Sequence, residues 1–223
     1  MNIRTILKLA VITGITGVGS VALAAPMGSV QSFHKEADGV TFATAAGTLK
    51  VTVCTEQIVR IQCSPRDKML DGQGFAVTNR FVKSAPFKVR EQAGEVMVTT
   101  RKLSVTVDKA TGAVSFRDAA GKLLLSEPDG GGKSLPAAQV NGEATFQPEQ
   151  RFVSPPDEFI YGLGQFQEGI WNWRGMPQQL RQLNTQIAIP MIVSSRGYGL
   201  LWNNAALTEF NPADMPVALT NGA

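Results

Sequence analysis

Residues suited to sugar recognition are concentrated in one stretch, residues 157–175 of the 223-residue chain. Trp171 and Trp173 are two of the three tryptophans, and two glycines flank Leu163, where they permit unusual backbone angles and the close approach of another surface. The apolar face of a sugar packs on an aromatic ring, while its hydroxyls bond to planar amide and guanidinium groups. The stretch therefore indicates carbohydrate binding. The residues support equally well an alternative in which one tryptophan is a core residue and the neighbouring amides are solvated.

The same end of the chain offers no catalytic pair. The candidate carboxylates are Asp157, Glu158, Glu168, Glu209 and Asp214. No two of them stand in a motif that predicts facing groups across a sugar, so we expect each to be a solvated or turn residue. His34 is the only histidine, and we expect it on a mobile N-terminal tail. The sequence therefore predicts neither a metal site nor a cofactor.

A glycine run at residues 129–133 ends in a lysine, as phosphate-binding loops do. It lacks the spacing of such a loop, and Pro136 interrupts the helix that would have to follow. We expect a flexible loop there and no phosphate site.

The elements that must position these residues are short strands. Residues 103–108 alternate apolar and polar side chains, and turn residues separate them from 114–117 and 123–125. Such alternation gives one face to a core and the other to solvent, as in antiparallel sandwiches. Further strands are expected at residues 40–45, 74–82, 95–100, 144–152, 187–195, 199–203 and 207–210. No segment sustains a helical repeat, so the predicted fold class is all-β, an antiparallel β-sandwich.

The only two cysteines, Cys54 and Cys63, lie on a predicted hairpin that turns at residues 55–57. Cys54 would lie beside the turn and Cys63 at the far end of the returning strand. That separation exceeds the Cα distance of about 4.4–6.8 Å that a disulfide tolerates. We therefore predict two free thiols.

The N terminus has the features of a secretory signal. Arg4 and Lys8 precede an apolar run that glycines dilute, and residues 22–24 form the small-x-small pattern that a signal peptidase accepts. The run is shorter than the roughly 18 strongly apolar residues of a membrane span. The sequence predicts a signal peptide at 1–24, a mature domain at 25–223, and export to the periplasm or the cell exterior without a membrane anchor.

Composition excludes other partners. The chain is 43% hydrophobic and 17% charged, as globular domains are. Its 21 Lys and Arg residues exceed its 18 Asp and Glu residues by only three, and no basic cluster occurs. Nucleic-acid binding needs such a cluster to neutralise phosphates, so we exclude it.

Five stretches, in the expected order, resemble the N-terminal β-sandwich of glycoside hydrolase family 31, whose members include α-glucosidases and α-xylosidases. They are residues 58–61, the meander 103–126, the Tyr-Gly-Leu-Gly-Gln motif at 161–165, the Trp-Arg-Gly loop at 173–175, and the strands within 189–204. The resemblance spans nearly the whole of residues 25–223 and implies a galactose-mutarotase-like sandwich.

The resemblance implies that the chemistry lies elsewhere. In that family the sandwich precedes a (β/α)8 barrel, which carries one aspartate as nucleophile and another as general acid/base in a retaining mechanism. A barrel takes about 250 residues, so we expect the barrel to lie outside this chain. We therefore expect no catalytic residue among the 223 residues of the chain. A mutarotase-like reaction would need histidine besides glutamate, and His34 matches no motif. Because the barrel covers part of the sandwich, an isolated sandwich should expose an apolar patch.

The resemblance also implies that a loop of the sandwich helps shape the substrate pocket at the barrel mouth. The positions in that loop region are Gln165, Gln167, Trp171, Asn172, Trp173 and Arg174, with Arg181 and Asn184 behind them. The tryptophans are expected to stack on the sugar and the others to bind its hydroxyls. The alternative for Arg174 and Arg181 is that they pin the loop through backbone carbonyls.

Two functional interpretations follow. In the first, the chain is the N-terminal part of an exported α-glycosidase, covalently continuous with its barrel and acting on an α-linked oligosaccharide. Residues 180–190 are closer to α-xylosidase-like members than to starch-cleaving ones. In the second, the chain is a complete secreted carbohydrate-binding sandwich without catalysis.

Overall fold

The computed structural model describes residues 27–67, 69, 77 and 84–212, together with the backbone of residues 5–11. The strands are β1 (Thr5–Val11), β2 (Val30–Lys35), β3 (Gly39–Thr44), β4 (Gly47–Val53), β5 (Val59–Ser64), β6 (Lys88–Gln92), β7 (Glu95–Thr99), β8 (Leu103–Asp108), β9 (Val114–Asp118), β10 (Leu123–Ser126), β11 (Lys133–Ser134), β12 (Ala137–Val140), β13 (Glu143–Phe146), β14 (Glu149–Ser154), β15 (Ile160–Gln165), β16 (Gln178–Leu180), β17 (Ile187–Ser194), β18 (Tyr198–Leu201) and β19 (Thr208–Asn211). Within these ranges no helix occurs, and hence none that is long and apolar enough to cross a membrane. The predicted all-β class is confirmed.

The chain divides into two compact units by the contacts that its residues make. The sandwich unit comprises residues 20–136, and the loop unit comprises residues 1–19 together with 137–223. This division follows spatial contacts and not processing, so the predicted cleavage near Ala24 stays a prediction.

The sandwich unit contains two antiparallel sheets. One has the strand order β2-β3-β4-β5 and the other β10-β9-β8-β7-β6. Every neighbour in either sheet is also the neighbour in sequence, so both sheets are meanders built from short turns. The predicted meander at 103–126 is present as β8, β9 and β10, which confirms that part of the sequence analysis.

The core of the sandwich unit is the space between these two sheets. Alternate residues of each strand point to the same face, and the inward positions are almost all valine, leucine or phenylalanine. The fully buried members are Val40, Phe42, Leu49, Val51, Val53, Val96, Val98, Val105, Val107 and Val114. Burying one such side chain contributes about 1.5–3 kcal/mol, so this cluster is the main source of stability in the unit.

The predicted hairpin around residues 55–57 is confirmed. The amide of Cys54 donates to the carbonyl of Ile58 (2.9 Å), which closes the turn, while Cys63 pairs with Leu49 at the far end. Both thiols are free, as predicted. Burial raises the pKa of the Cys63 thiol to about 12, so it remains protonated at neutral pH.

Three expectations about strands and loops need correction or lie beyond the described residues. His34 is not on a tail, because it lies in β2 and pairs with Thr41 of β3. The strand expected at 144–152 is two strands, β13 and β14, with Pro148 between them, since proline cannot continue a sheet ladder. The strand expected at 74–82 lies outside the described residues, apart from Val77.

The glycine run at 129–133 is anchored, which corrects the expectation of a flexible loop. Glu127 is buried, and its carboxylate accepts the amides of Val114 (3.3 Å) and Gly132 (3.1 Å). The same carboxylate forms a buried ion pair with Lys133. The C-terminal end of the run, at Gly132 and Lys133, is therefore tied to one buried side chain inside the sandwich unit.

The loop unit contains two sheets and a hairpin. Four strands pair in the order β14-β1-β19-β16, and three pair in the order β15-β17-β18. The hairpin consists of β12 and β13, joined by a turn at residues 141–142. The residues predicted to recognise a sugar all belong to this unit.

Candidate functional site

The predicted sugar-binding residues lie at one end of the β15–β17 strand pair. Gln165, the last residue of β15, pairs with Ile187, the first residue of β17. The segment after β15, residues 166–177, leads to β16, and residues 181–186 lead from β16 into β17. We name these segments the 166–177 loop and the 181–186 turn. Both begin or end at this single pair of residues.

The strand that enters the 166–177 loop is irregular. Gly162 pairs with Ile192 and Gly164 with Ala188, so three residues of β17 lie opposite the single residue Leu163. Gly162, Leu163 and Gly164 all have positive φ, at 108°, 66° and 111°. This bulge turns the Leu163 side chain into the core, where it is 1% exposed.

The two glycines of the bulge are required by their surroundings. A Cβ on Gly162 would lie 2.4 Å from the carbonyl oxygen of Met191, and one on Gly164 would lie 1.9 Å from that of Ile187. Both contacts are with backbone, which cannot move aside without breaking the β15–β17 pairing. The close approach predicted for the glycines flanking Leu163 is therefore present, and the approaching surface is β17.

Trp173 anchors the 166–177 loop. Its amide donates to the carbonyl of Ile160 (2.8 Å), and its indole Nε1 donates to the carbonyl of Gly162 (3.1 Å). The ring of Phe166 meets the indole edge-on, with centroids 5.3 Å apart. The side chain is 3% exposed, so both faces of the indole are covered by protein. Trp173 is therefore a core residue, which was the alternative to sugar stacking that the sequence left open for one of the two tryptophans.

Asn172 and Arg174 hold the backbone on either side of that anchor. The Asn172 side-chain oxygen accepts the amides of Ile160 (3.0 Å) and Arg174 (3.1 Å). The Arg174 guanidinium donates to the hydroxyl of Ser154 (2.9 Å) and to the carbonyl oxygens of Pro155 (2.5 Å) and Glu158 (3.3 Å). Arg174 thus pins the loop through backbone carbonyls, which was the alternative to a role in binding sugar hydroxyls.

Glu158 is the centre of this polar network, which corrects its assignment as a solvated residue. Its side chain is 1% exposed, and it accepts the hydroxyls of Ser194 (2.5 Å), Tyr198 (2.6 Å) and Ser154 (3.4 Å). Burial and the neighbouring carboxylate both raise the pKa of Tyr198, so its phenol remains a hydrogen-bond donor. We call Glu158, Ser154, Arg174, Ser194 and Tyr198 the Glu158 network.

Sequence reasoning missed the network because its members are far apart in the chain. Ser194 and Tyr198 come from the β17–β18 hairpin, 36 and 40 residues after Glu158. The local sequence carried no signal for its burial, since Glu158 lies two residues before β15 and glutamate is seldom fully buried.

The exposed residues of the candidate site form a different set from the anchors. Trp171 is 83% exposed on the 166–177 loop, and Gln165 and Gln167 are exposed beside it in sequence. Arg181 and Asn184 are exposed at the 181–186 turn. The amide side chain of Gln182 fixes that turn, because it bonds to both the carbonyl (3.0 Å) and the amide (3.2 Å) of Ala188.

Asp157, Glu168 and Glu209, the other candidate carboxylates that the structure describes, do not form a reacting pair. Asp157 is exposed, with Arg196 4.0 Å away, and Glu168 is exposed on the loop. Glu209 is buried in β19, another departure from the expected solvated position. Asp214 lies outside the described residues. Among the residues that the structure describes, no three His, Cys, Asp or Glu side chains cluster as metal ligands.

An open groove of about 470 Å³ lies elsewhere in the loop unit. It is lined by residues of the β12–β13 hairpin and of the segment before β19: Val140, Asn141, Glu143, Thr145, Phe146, Pro148, Asn204 and Ala206. None of the predicted sugar-binding residues lines it.

Comparison with known proteins gives a family-level match. The profile of the glycosyl hydrolase 31 N-terminal galactose mutarotase-like domain matches residues 48–211. An α-xylosidase of Saccharolobus solfataricus is 33% identical over 122 residues, which are 50% of this chain and 16% of that enzyme.

Solved structures agree with that match. The GH31 α-xylosidase of Xanthomonas citri has a TM-score of 0.73 and 37% identity, covering 79% of this chain and 19% of the enzyme. A GH31 α-xylosidase from a soil metagenome, solved with xylose, has a TM-score of 0.69 and 29% identity, covering 82% of this chain and 29% of the enzyme. The chain therefore spans less than a third of each of these relatives.

Proposed function

The chain belongs to glycosyl hydrolase family 31 as its N-terminal galactose mutarotase-like domain, and from this premise we propose that it serves an exported α-xylosidase-type glycosidase. In this proposal the domain is non-catalytic and covalently continuous with a catalytic barrel. Its exposed loop residues contribute to the pocket that receives an α-linked oligosaccharide.

Similarity to three α-xylosidases is the observation that carries the substrate class. The match to the Xanthomonas citri enzyme combines 37% identity with a TM-score of 0.73 over 79% of this chain. At 37% identity the two proteins share sequence as well as fold. A xyloside is therefore the first substrate to try, and an α-glucoside the second.

An apolar face on the loop unit supports continuity with a further domain. Along β17 the residues Ile187, Ile189, Met191 and Val193 alternate with less exposed neighbours and are 41–52% exposed. Tyr161 of β15 lies opposite Val193 on the same face. A continuous apolar strip of this kind is typical of a surface that another part of a protein covers.

Trp171 supports the contribution to a substrate pocket. An indole that is 83% exposed gains nothing from burial within this chain, although the loop is fixed directly after it by Asn172 and Trp173. A fixed backbone presents the ring without an ordering cost on binding. We assign sugar stacking to Trp171 and hydroxyl recognition to Gln165, Gln167, Arg181 and Asn184. Trp173, Asn172 and Arg174 then act by positioning.

The first experiment measures the intact mass and the activity of the protein isolated from its own source. We expect a mass several times that of residues 25–223, an N terminus at Ala25, and release of xylose from an α-xyloside. A mass equal to that of residues 25–223 would replace the glycosidase proposal by the complete carbohydrate-binding sandwich. An N terminus at Met1 would overturn export alone.

The second experiment tests the pocket with Trp171→Ala in the same full-length protein. Loss of a stacking ring is worth about 0.5–1.5 kcal/mol, so KM for an α-xyloside should rise about 2- to 10-fold with a smaller change in kcat. Phe146→Ala is the matched control, because Phe146 is an aromatic of the loop unit that is 40% exposed but lies on the β12–β13 hairpin. Equal KM values in the wild type and both variants would remove Trp171 from the pocket.

A further inference from the structure

The hairpin formed by β12 and β13 has no buried side chain. Among the described strands, these two pair only with each other, from Ala137 opposite Phe146 to Val140 opposite Glu143. All of their residues are exposed or half-buried. A two-stranded ribbon without a covered face is marginally stable in water. We therefore expect this hairpin to open more often than the sheets of the loop unit that bury apolar residues.

The turn of the hairpin is Asn141-Gly142. Both residues have positive φ, at 51° and 83°, as the two-residue type I′ turn requires. Both residues are exposed. Within the described part of the chain, neither the Asn141 side chain nor the Gly142 amide forms a hydrogen bond. The side-chain carboxamide and the following backbone nitrogen are thus neighbours that no other group holds in place.

These two groups can react with each other. The Gly142 nitrogen attacks the side-chain carbonyl carbon of Asn141 and loses its proton, and the carboxamide nitrogen leaves as ammonia. The product is a five-membered succinimide ring. Water then opens one of the two ring carbonyls, which yields either aspartate or isoaspartate, whose main chain runs through the side-chain carbon. The reaction consumes only water and requires no oxidant, reductant or cofactor.

The residue after the asparagine and the freedom of the turn both favour this reaction. Glycine has no Cβ beside the attacking nitrogen, so it hinders the attack least. A Cβ on Gly142 would meet nothing within 4 Å, which shows that no neighbouring atoms crowd the turn. Ring closure requires the Asn141 backbone to rotate out of its left-handed conformation, and it therefore proceeds through the open hairpin. The lack of a buried face makes that opening accessible.

We propose that Asn141 is a site of covalent modification, deamidation through a succinimide, and that isoaspartate formed there opens the β12–β13 hairpin. Isoaspartate adds one carbon to the main chain of a two-residue turn, and the length of such a turn fixes the strand register. The pairing of Val140 with Glu143 cannot then persist. Aspartate, in contrast, leaves the main chain unchanged and tolerates the left-handed conformation.

The modification would also change the groove of about 470 Å³, because the hairpin supplies five of its eight lining residues. Either product adds a negative charge to the groove, and isoaspartate moves its wall. None of the predicted sugar-binding residues lines this groove, so we expect KM for an α-xyloside to stay the same after the modification. The inference is independent of the proposed glycosidase function.

Peptide mapping by mass spectrometry tests the modification in the full-length protein, freshly isolated from its own source and then incubated. We expect the peptide that contains Asn141 to gain the mass difference between a carboxamide and a carboxylic acid. Chromatography should separate two products of that mass, aspartate and isoaspartate. The other Asn-Gly pair, at residues 221–222, lies outside the described residues and gives a separate peptide.

Two asparagines of the same protein are internal controls. Asn184 is exposed, but Thr185 follows it, and the branched side chain of threonine shields the backbone nitrogen. The Asn172 side-chain oxygen accepts the amides of Ile160 and Arg174, which hold it in place. Both should keep their carboxamides while Asn141 loses its own.

Two results of the mapping would overturn the proposal. Conversion of Asn184 at the same rate as Asn141 would show that exposure alone selects the site. An unmodified Asn141 in the folded protein, under conditions in which a synthetic peptide of residues 137–146 is converted, would show that the hairpin protects it.

A pair of variants at Thr145 tests whether the reaction proceeds through hairpin opening. Thr145 lies opposite Ala138, and Thr145→Pro disrupts the pairing there. Conversion of Asn141 should become about 2- to 10-fold faster, the factor by which losing one hydrogen bond shifts an opening equilibrium. Thr145→Val keeps a residue suited to a strand and should leave the rate unchanged. Equal rates in the two variants would show that opening does not limit the reaction.

Limited proteolysis separates the effect of isoaspartate from that of the added charge. The Asn141→Asp variant has the charge and an unaltered main chain, whereas the converted wild type contains isoaspartate. We expect a protease of broad specificity to cut the converted protein within residues 137–148 and to leave the Asn141→Asp variant intact there. Equal cleavage of both proteins, or of neither, would show that isoaspartate does not open the hairpin.

Discussion

The sandwich unit and the loop unit are both antiparallel β structures, but they are stabilised by different interactions. The sandwich unit encloses ten fully buried valine, leucine and phenylalanine side chains between two regular meanders. The loop unit buries a carboxylate with its hydroxyl donors, and it contains a bulge of three residues with positive φ. The loop unit also buries apolar side chains such as Ile160 and Phe210, but directional bonds and backbone geometry fix the strand and loop that carry its exposed polar and aromatic residues.

This difference supports the proposal that the loop unit carries the sugar contacts. Apolar packing is non-directional and tolerates substitutions of similar volume, so it stabilises a scaffold without placing any particular side chain. Hydrogen bonds to buried partners are directional, and those of Asn172, Trp173 and Arg174 constrain the 166–177 loop directly after Trp171. The Glu158 network and Trp173 therefore act as the support that presents Trp171.

The largest effect that would test this comparison is expected from Gly164→Ala. The new Cβ would lie 1.9 Å from the carbonyl oxygen of Ile187, in a backbone conformation with φ of 111°. We expect a loss of at least about 3 kcal/mol in unfolding free energy. Urea unfolding followed by tryptophan fluorescence measures this, since all three tryptophans belong to the loop unit.

Gly94→Ala is the control for that substitution. Gly94 also has positive φ, at 83°, but a Cβ there would meet nothing within 4 Å. It should cost only about 1 kcal/mol, the price of the conformation itself. Equal losses in the two variants would show that the close approach of β17 is not what requires Gly164.

A further large effect is expected from Leu49→Ala in the sandwich unit. Leu49 is fully buried between the two sheets, and truncating a buried leucine costs about 2–5 kcal/mol, here about 3 kcal/mol. Leu49→Met keeps the volume and should cost less than about 1.5 kcal/mol. Circular dichroism of the strands measures both. A similar loss in the two variants would contradict a core that depends on volume rather than on shape.

The sequence predicted the features that depend on local patterns and missed those that depend on distant residues. Alternation along 103–108 predicted a strand with one buried face, and the meander, the hairpin at 55–57 and the free thiols followed from local patterns. Residues 161–165 and 173–175 also indicated the family, which the domain match shows. These features depend on neighbours in sequence or on recognisable motifs.

The parts that the sequence did not predict depend on distant residues. Glu158 was expected in solvent because its partners Ser194 and Tyr198 come from another hairpin. Trp173 and Trp171 are two residues apart and chemically identical, yet one is buried and the other is 83% exposed. The bonds of Trp173 to Ile160 and Gly162 and its ring contact with Phe166 distinguish them, and no local pattern encodes these contacts.

The third prediction concerns Tyr198→Phe and alkaline pH. Losing a hydrogen bond to a buried carboxylate should cost about 2 kcal/mol at pH 8. The folded state raises the pKa of Tyr198, so its neutral phenol contributes stability that is complete below about pH 10 and is lost as pH rises further. The slope of the unfolding free energy against pH, between pH 10 and 11, should therefore be shallower in the variant. The difference in slope corresponds to at most one proton. The pKa of Cys63 is raised to about 12, so this thiol also makes the protein less stable as pH rises above about 8.5, in wild type and variant alike. The Cys63→Ala substitution measures how much of the alkaline loss comes from Cys63. An identical alkaline slope in wild type and Tyr198→Phe would contradict the buried phenol.

The smallest stability effect is expected from Trp171→Ala, which sharpens the comparison most. A side chain that is 83% exposed contributes little to folding, so the unfolding free energy should change by less than about 0.5 kcal/mol. Trp173→Ala removes the buried indole and its bond to Gly162, and should cost about 3–5 kcal/mol. Denaturant unfolding of the two variants measures this contrast within one loop. If the Trp171 variant loses as much stability as the Trp173 variant, Trp171 is a structural residue, and a rise in its KM would no longer identify it as a sugar contact.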